Sequence, residues 1–597
     1  MTLTPIDWGI IVVYLAGCMG AGIWMRRYVR DVEDFAVAGR EMDLNLGIAS
    51  LAATEMGVVT VMYTAQLGFT NGPAGATVGV LMAAAMLLVG TTGFVIRPLR
   101  DAGVITIPEL FEKRFGKRVR WLAGLVVILG GVLNMGIFLR LGGEFLMQIT
   151  GMDIHAKFSL LSVGIDWQFG YLEVTMTVLL TIVLLYTVLG GMLSVLVTDY
   201  LQFLVMGLGI VVTSILVIHA VGWSNFQEGL AETHQSGEQY LTAQKEQEKK
   251  QAAEVAALRE SVGSAAAQNL KDRQAEEHAA MLKSQSAVLA KQGVLVVVEE
   301  DKPPRETTMA DPYNPFASKG LGVLYVLWQA MFQLAVVTTW QTMISRVLSA
   351  KDSKTAGRVY RRTAFYFVGR FALPGLWGAA AFLYFWKAGG LPAGVDSLTA
   401  MPAYLKTVLP MGVIGILIAA MLAAEMSTDS GYLLTWATVI YNDLISTCLR
   451  KPMSSRAKLF TVRTLVLVIG LFLLFWGLWY EIPGNAWDYL AVTGNIYLAS
   501  VFTLLVGALY WRGANRWGAM AAIILGAIGP ILFLVVNAMV KANVFDASWK
   551  IRPEIAGFAA FGMSFAGMII GSLLGQALGH GNPTPTSSDS QPKEVTA

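Results

Sequence analysis

Ala53-Thr54-Glu55-Met56-Gly57 and Ala424-Glu425-Met426-Ser427-Thr428 decide how this chain folds. Both stretches lie inside apolar segments long enough to cross a bilayer, and both carry a carboxylate beside small or hydroxylated residues where lipid would favour leucine. Polar groups at membrane depth are costly and usually mark an ion or substrate path. Positions 424, 427 and 428 stand at i, i+3 and i+4, so they share one helix face. Serine and threonine in a membrane helix also bond to the previous turn or to a neighbouring helix, and by residue type alone that reading stays open.

The surroundings set the class. Of 597 residues, 55% are hydrophobic and 14% charged, with a mean hydropathy of +0.57, against about 25% charged in soluble proteins. An integral membrane protein with the lipid bilayer as its partner fits, and the formal net charge of +3 gives no reason to expect nucleic acid. Cys18 and Cys448 form neither a disulfide framework nor a metal-ligand spacing. The apolar run from Ile10 to Met25 is followed, not preceded, by Arg26, Arg27 and Arg30, so it reads as a first membrane helix and not a cleaved signal. With no nucleophile elbow, Walker loop or HExxH, neither an enzyme nor an ATP-driven pump is expected.

Apolar runs of about 20 residues predict about 13 transmembrane helices, at 6–26, 46–70, 74–97, 119–147, 170–190, 192–221, 318–346, 363–387, 404–447, 459–481, 485–511, 517–541 and 554–578. The overlong 404–447 run is expected to be one helix with a polar continuation. Basic residues gather in alternate loops: Arg26 to Arg40, Arg97 to Arg120, Arg346 to Arg362 and Arg450 to Lys458. That bias puts these loops in the cytoplasm, the N-terminus outside and the C-terminus inside, in a cell (inner) membrane. Residues 223–317 break the pattern. Their Ala, Glu, Lys and Gln favour helix, but isolated Leu258, Leu270, Leu282 and Leu289 make a weak seam. A helical hairpin or loose coiled coil outside the membrane is expected, acting as a solvated spacer or as a docking surface for a partner or a second copy. Pro303, Pro304, Pro312 and Pro315 stiffen the return.

Five further phrases appear in order. They are Asp34-Phe35-Ala36-Val37-Ala38-Gly39-Arg40; Ile107-Pro108-Glu109-Leu110-Phe111-Glu112-Lys113-Arg114-Phe115-Gly116; Gly190-Gly191-Met192-Leu193-Ser194-Val195 with Thr198, Asp199 and Gln202; Met426-Ser427-Thr428 with Asp429 and Ser430; and Tyr510-Trp511-Arg512 with Asn515-Arg516. Together they resemble the sodium:solute symporter family, to which the sodium/proline and sodium/glucose cotransporters belong. The resemblance implies an all-α, five-plus-five inverted-repeat fold of the leucine-transporter type, with the first helix of each half broken to free carbonyls. The halves would be 46–222 and 318–512, preceded by a first helix and loop (1–45), separated by the insertion 223–317, and followed by two helices (513–578) and a cytoplasmic tail (579–597). Sodium would be the coupling ion. Ala53, Met56 and Ala424 would offer carbonyls and Ser427 and Thr428 hydroxyls, with Asp199 and Ser430 on a second ion path. A helix-start carboxylate accounts for Asp199 equally well. Departures from the family pattern are Ser345-Arg346, the shifted Asp429 and the insertion.

For the solute, Glu55, Gly57, Thr60, Tyr63, Arg140, Gln333 and Trp340 are the candidates. Glu55 could neutralise sodium or hold an ammonium group. Arg140, beside Gly142 and Gly143, could clamp a carboxylate bidentately, or could snorkel or pair with Glu144 or Glu55. The expected function is sodium-coupled import of a small organic solute by alternating access, with an amino acid or carboxylate favoured over a sugar. The alternatives are a proton-coupled symporter on the same fold, with Glu55, Glu425 or Asp429 as carrier, and a sensor or scaffold acting through 223–317.

Overall fold

The computed structural model describes residues 3–25, 38–152, 157–159, 168–298, 303–317, 320–480, 485–542 and 544–579. The cluster Arg26, Arg27 and Arg30, the phrase Asp34–Val37 and the tail beyond 579 lie outside them. In chain order the helices are α1 (Pro5–Met25), α2 (Leu44–Thr54), α3 (Val58–Asn71), α4 (Thr77–Thr92), α5 (Ile96–Asp101), α6 (Ile107–Phe115), α7 (Lys117–Met135), α8 (Phe138–Thr150) and α9 (Tyr171–Val221). The insertion holds α10 (Trp223–Ser261), α11 (Ser264–Ser284), α12 (Ser286–Lys291) and two strands, Val294–Val297 and Arg305–Thr308. There follow α13 (Val323–Thr339), α14 (Gln341–Ser349), α15 (Ser353–Ala388), α16 (Ala400–Val408) and α17 (Val413–Val439). The last four are α18 (Ser455–Trp479), α19 (Ala486–Tyr510), α20 (Arg516–Lys541) and α21 (Pro553–Ala577).

Length and hydropathy give ten membrane-crossing helices among the described residues, or eleven with the bent pair α13–α14; the thirteen expected spans count each of the two reversals below as two crossings. Two of the ten turn back on themselves. Arg370 on α15 touches Tyr63 on α3 and Met82 on α4, positions that a straight helix would hold about 28 Å apart. The chain therefore reverses at Gly72–Ala76, where Gly72 has φ 55°. Likewise Tyr186 and Asp199 on α9 bond to the adjacent residues Met426 and Ser427 of α17. Gly191, with φ 55° and ψ −154°, makes that reversal, a conformation that only glycine adopts without strain.

Each half of the core opens with a broken helix. Between α2 and α3, Glu55 to Gly57 leave the helical path, and Gly57 is extended at φ −71°, ψ 166°. A Cβ at Gly57 would lie 2.8 Å from Thr428 Oγ1, so glycine lets α17 approach the break. Between α13 and α14 the chain bends by 41° at Trp340. Trp328, Trp377, Trp436 and Tyr497 fill the centre, while Val13, Phe460 and Leu471 turn outward, as a lipid-facing surface requires.

Two expectations fail locally. The 404–447 run is not one helix: Leu409 to Gly412 separate α16 from α17, with Gly412 at φ 84°. Asp7 of α1 caps the new start, its Oδ1 accepting from Gly412 N (2.9 Å) and Gly415 N (2.8 Å). The insertion is not purely helical. Val294-Leu295-Val296-Val297 pairs antiparallel with Arg305–Thr308, and Leu282, Leu289, Val294 and Val296 form a small separate core. The segment that follows the insertion's second strand is tied to the reversal after α3, with Ala310 N on Thr70 O and Ala74 N on Pro312 O, both at 2.8 Å.

Candidate ion and substrate site

A helix that stops in mid-membrane leaves backbone carbonyls without partners. At the end of α2, Thr54 O accepts from Thr428 Oγ1 at 2.9 Å. The neighbouring Ser427 Oγ donates to Asp199 Oδ1 at 2.5 Å, and Asp199 Oδ2 accepts from Ser50 Oγ (2.6 Å) and Thr54 Oγ1 (3.2 Å). Arg346 of α14 closes the group: its Nη2 lies 3.4 Å from Asp199 Oδ2 and 2.5 Å from Thr54 Oγ1, and its Nη1 donates to Thr342 O. Asp199 and Arg346 are 0% and 1% exposed. Breaking such a pair by removing one partner costs about 3–5 kcal/mol.

Of the expected sodium ligands, the structure brings Ser427 and Thr428 directly against the break. Ala53, Met56 and Ala424 are buried beside them, and Ala53 O accepts the Met56 N–H at 3.1 Å. The carbonyl that meets Thr428 is Thr54's, one residue past the expected Ala53. The donors are hydroxyl, carbonyl and carboxylate oxygens, the set a small hard cation takes in place of its water shell. Asp199 is no bare helix-start carboxylate but the acceptor around which this group is built. Ser430 does not reach it; its hydroxyl donates within α17 to Ser427 O at 3.2 Å.

On the other side of the break lies a cavity, which Thr54 and Thr428 line from the break itself. Glu55, Thr60, Tyr63, Gln333 and Trp340 all line it, as do Arg370, Tyr432 and Trp487. Arg370 Nη1 stands 3.7 Å from Glu55 Oε2, and its Nη2 donates to Thr60 Oγ1 (3.1 Å) and Tyr63 OH (2.9 Å). Thr342 Oγ1 donates to Glu55 Oε1 at 3.1 Å. The walls are aromatic: Tyr63 and Trp487 have ring centres 4.8 Å apart, and Trp340 donates its indole N–H to Tyr432 OH at 2.9 Å. Three polar atoms are buried without a hydrogen-bond partner, namely Arg370 Nε, Trp487 Nε1 and Gln333 Oε1. Unmade bonds of this kind are costly in a bare protein and available to a ligand.

Of the two readings of Arg140, the structure has the pairing with Glu144 and not the carboxylate clamp. Arg140 does not enter the cavity but pairs with Glu144 at 2.8 Å, one turn along α8, and its Nη1 donates to Gly477 O (3.3 Å) at the end of α18. Its guanidinium satisfies a helix terminus instead. The cationic role falls to Arg370, which sequence reading passed over although it stands inside the expected 363–387 span. An arginine within an apolar span was the available signal.

The profile of the family described as "Sodium:solute symporter family" matches residues 35–526. The chain belongs to the sodium:solute symporter family. Its relatives include sodium/glucose cotransporter 4 of Danio rerio, 24% identical over 575 residues covering 89% of this chain and 73% of that one. The sodium/myo-inositol cotransporter of Mus musculus is 25% identical over 569 residues, covering 90% and 68%. Among solved structures, a substrate-bound, outward-open Na+-coupled sialic acid symporter superposes with a TM-score of 0.68 over 96% of this chain and 98% of that one, at 17% identity. The fold is therefore the leucine-transporter-type inverted repeat. This symporter is a multi-pass membrane protein and not an enzyme, and sodium is its coupling ion.

Proposed function

We propose that the symporter carries a small organic solute bearing a carboxylate, with an amino acid the best fit. The observation that carries this reading is Arg370, buried in the cavity wall with Nε unpartnered and with Glu55 as its counter-charge. A solute carboxylate would take the free edge of the guanidinium, releasing Glu55 to hold an ammonium group. Trp487 Nε1 and Gln333 Oε1 would meet the remaining polar atoms. The coupling sodium would sit across the break on Ser427, Thr428 and the carbonyls around Ala53, Met56 and Ala424. Both sites touch the Thr54–Glu55 peptide, so filling one organises the other, which is the coupling that symport needs. Import fits a topology with the N-terminus outside and the Arg97–Arg120 and Arg450–Lys458 loops in the cytoplasm.

Uptake into proteoliposomes under an imposed sodium gradient, screened over amino acids, short carboxylates and sugars, tests the assignment. Amino acids or carboxylates should be accumulated, and Arg370→Ala should abolish it. Accumulation of neutral sugars alone would overturn it. A polyol or sugar is the second reading, favoured by the aromatic faces of Trp340, Trp487 and Tyr63 and by the cargo named for the relatives.

A further inference from the structure

Of the carboxylates buried in the described residues, Glu55, Asp199, Asp443 and Glu554 each stand beside an arginine, and Asp7 accepts from two backbone N–H groups. Glu425 and Asp429 stand beside no arginine. They lie at i and i+4 of α17, hence on one face with Cβ atoms about 5–6 Å apart. They are 1% and 2% exposed. Both oxygens of Glu425 and Oδ1 of Asp429 lack any hydrogen-bond partner. Among the described residues, no arginine, lysine or histidine comes within ion-pair distance of either. The start of α3 supplies a partly positive helix end, whose Val58 N–H points toward Glu425 without completing a hydrogen bond. A helix N-terminus supplies about half a charge, too little to balance even one ionised carboxylate.

Space has been kept for the group. Gly142 of α8 faces Glu425, and a Cβ there would lie 2.5 Å from Oε1 and 2.8 Å from the carboxyl carbon. Of the expected sodium motif, Ser427 lies on the opposite side of the same helix and is directed at Asp199, while Thr428, one turn from Glu425, is directed at the end of α2. We propose that Glu425 and Asp429 form a second cation subsite, which takes a sodium ion between α17, α8 and the start of α3. Bare carboxylates are hard oxygen donors, and one monovalent ion supplies the positive charge the face lacks. The symporter then moves one more sodium per cycle than the Ser427–Thr428 group alone provides, which steepens the dependence of transport on the sodium gradient.

Binding of 22Na+ alone to the purified full-length protein tests this without reference to the solute. Glu425→Gln combined with Asp429→Asn should bind one sodium fewer per chain than the unaltered protein. Its thermal unfolding temperature should rise less steeply with sodium, at ionic strength held constant with choline. In sodium-free buffer the same variant should unfold at a temperature no lower than that of the unaltered protein, because no ion pair is lost; a misfolded variant would unfold lower. Gly142→Ala, which displaces only the far end of the Glu425 side chain, should weaken that same sodium at least tenfold and leave the others. Ser427→Ala with Thr428→Ala should remove a different equivalent, so loss of that site and loss of this one are read separately. Unchanged sodium stoichiometry and an unchanged sodium titration in the Glu425/Asp429 variant and in Gly142→Ala would overturn the proposal.

Discussion

The two sides of the α2–α3 break hold the same charges in opposite conditions. On one side Asp199 and Arg346 are wrapped by Ser50, Thr54, Ser427 and Thr342, and every polar group found there is used. On the other, Glu55 and Arg370 stand in an aromatic-walled cavity with a guanidinium edge, an indole N–H and an amide oxygen left over. The difference is in what surrounds the pair. Hydroxyl side chains two or three bonds long fill the first compartment, and rings that cannot bend inward hold the second open. A closed compartment suits an ion that only oxygen atoms need to surround, and an open one suits a solute that brings its own polar groups.

The largest expected effect tests whether the open side depends on its arginine. Arg370→Ala leaves Glu55 buried and unpaired, a loss of about 3–5 kcal/mol. Initial uptake rates at fixed sodium should fall by at least 100-fold, and near-normal uptake would end the idea that this pair receives the solute. Next comes the closed side. Replacing Ser427 and Thr428 by alanine removes two hydroxyls worth about 0.5–1.5 kcal/mol each, so half-maximal uptake should require roughly tenfold more sodium, with solute affinity at saturating sodium little changed. Gly57→Ala probes the wall between them. Its Cβ would press on Thr428 Oγ1 at 2.8 Å, and sodium and solute titrations should both shift by about threefold if the two sides are coupled through the break. Tyr63→Phe withdraws a single hydrogen bond from Arg370; about 1 kcal/mol corresponds to roughly fivefold weaker solute binding. The smallest effect belongs to Arg140→Lys, which should leave transport within about twofold, since this residue serves the end of α18. A larger loss in uptake assays would mean the cavity extends further than its walls indicate.

How much of this could be read beforehand follows from the range of each signal. Apolar runs and polar interruptions are local, so the polar stretch at 53–57, the Ser427–Thr428 face and the membrane class were legible, while the helix break itself followed from the family resemblance. Cavity walls are not local: Glu55, Gln333, Trp340 and Arg370 come from three spans, α2–α3, α13–α14 and α15, and their packing shows which arginine turns inward. Arg140 and Arg370 look alike in the chain, each a lone cation in an apolar run. What separates them is Glu144 one turn away on α8, which holds Arg140 aside, and no comparable partner near Arg370 in sequence. The helix reversals at Gly72–Ala76 and Gly191 were legible too, as the boundaries between the spans 46–70 and 74–97 and between 170–190 and 192–221. The hairpin at 294–308 was hidden by the alanine-rich helices that precede it.

The segment that follows the insertion's second strand, bonded at Ala310 and Pro312 to Thr70 and Ala74 around the reversal after α3, makes the inserted arm a mechanical pointer. α10 has 39 residues, about 58 Å of rigid rod. If α3 tilts by ~5° during transport and carries its clamp along, the far end of that rod sweeps ~5 Å. A pair of probes, one near Val262 at the tip and one on a fixed loop, would therefore register motion at the membrane's centre without a label placed anywhere near the ion or the solute.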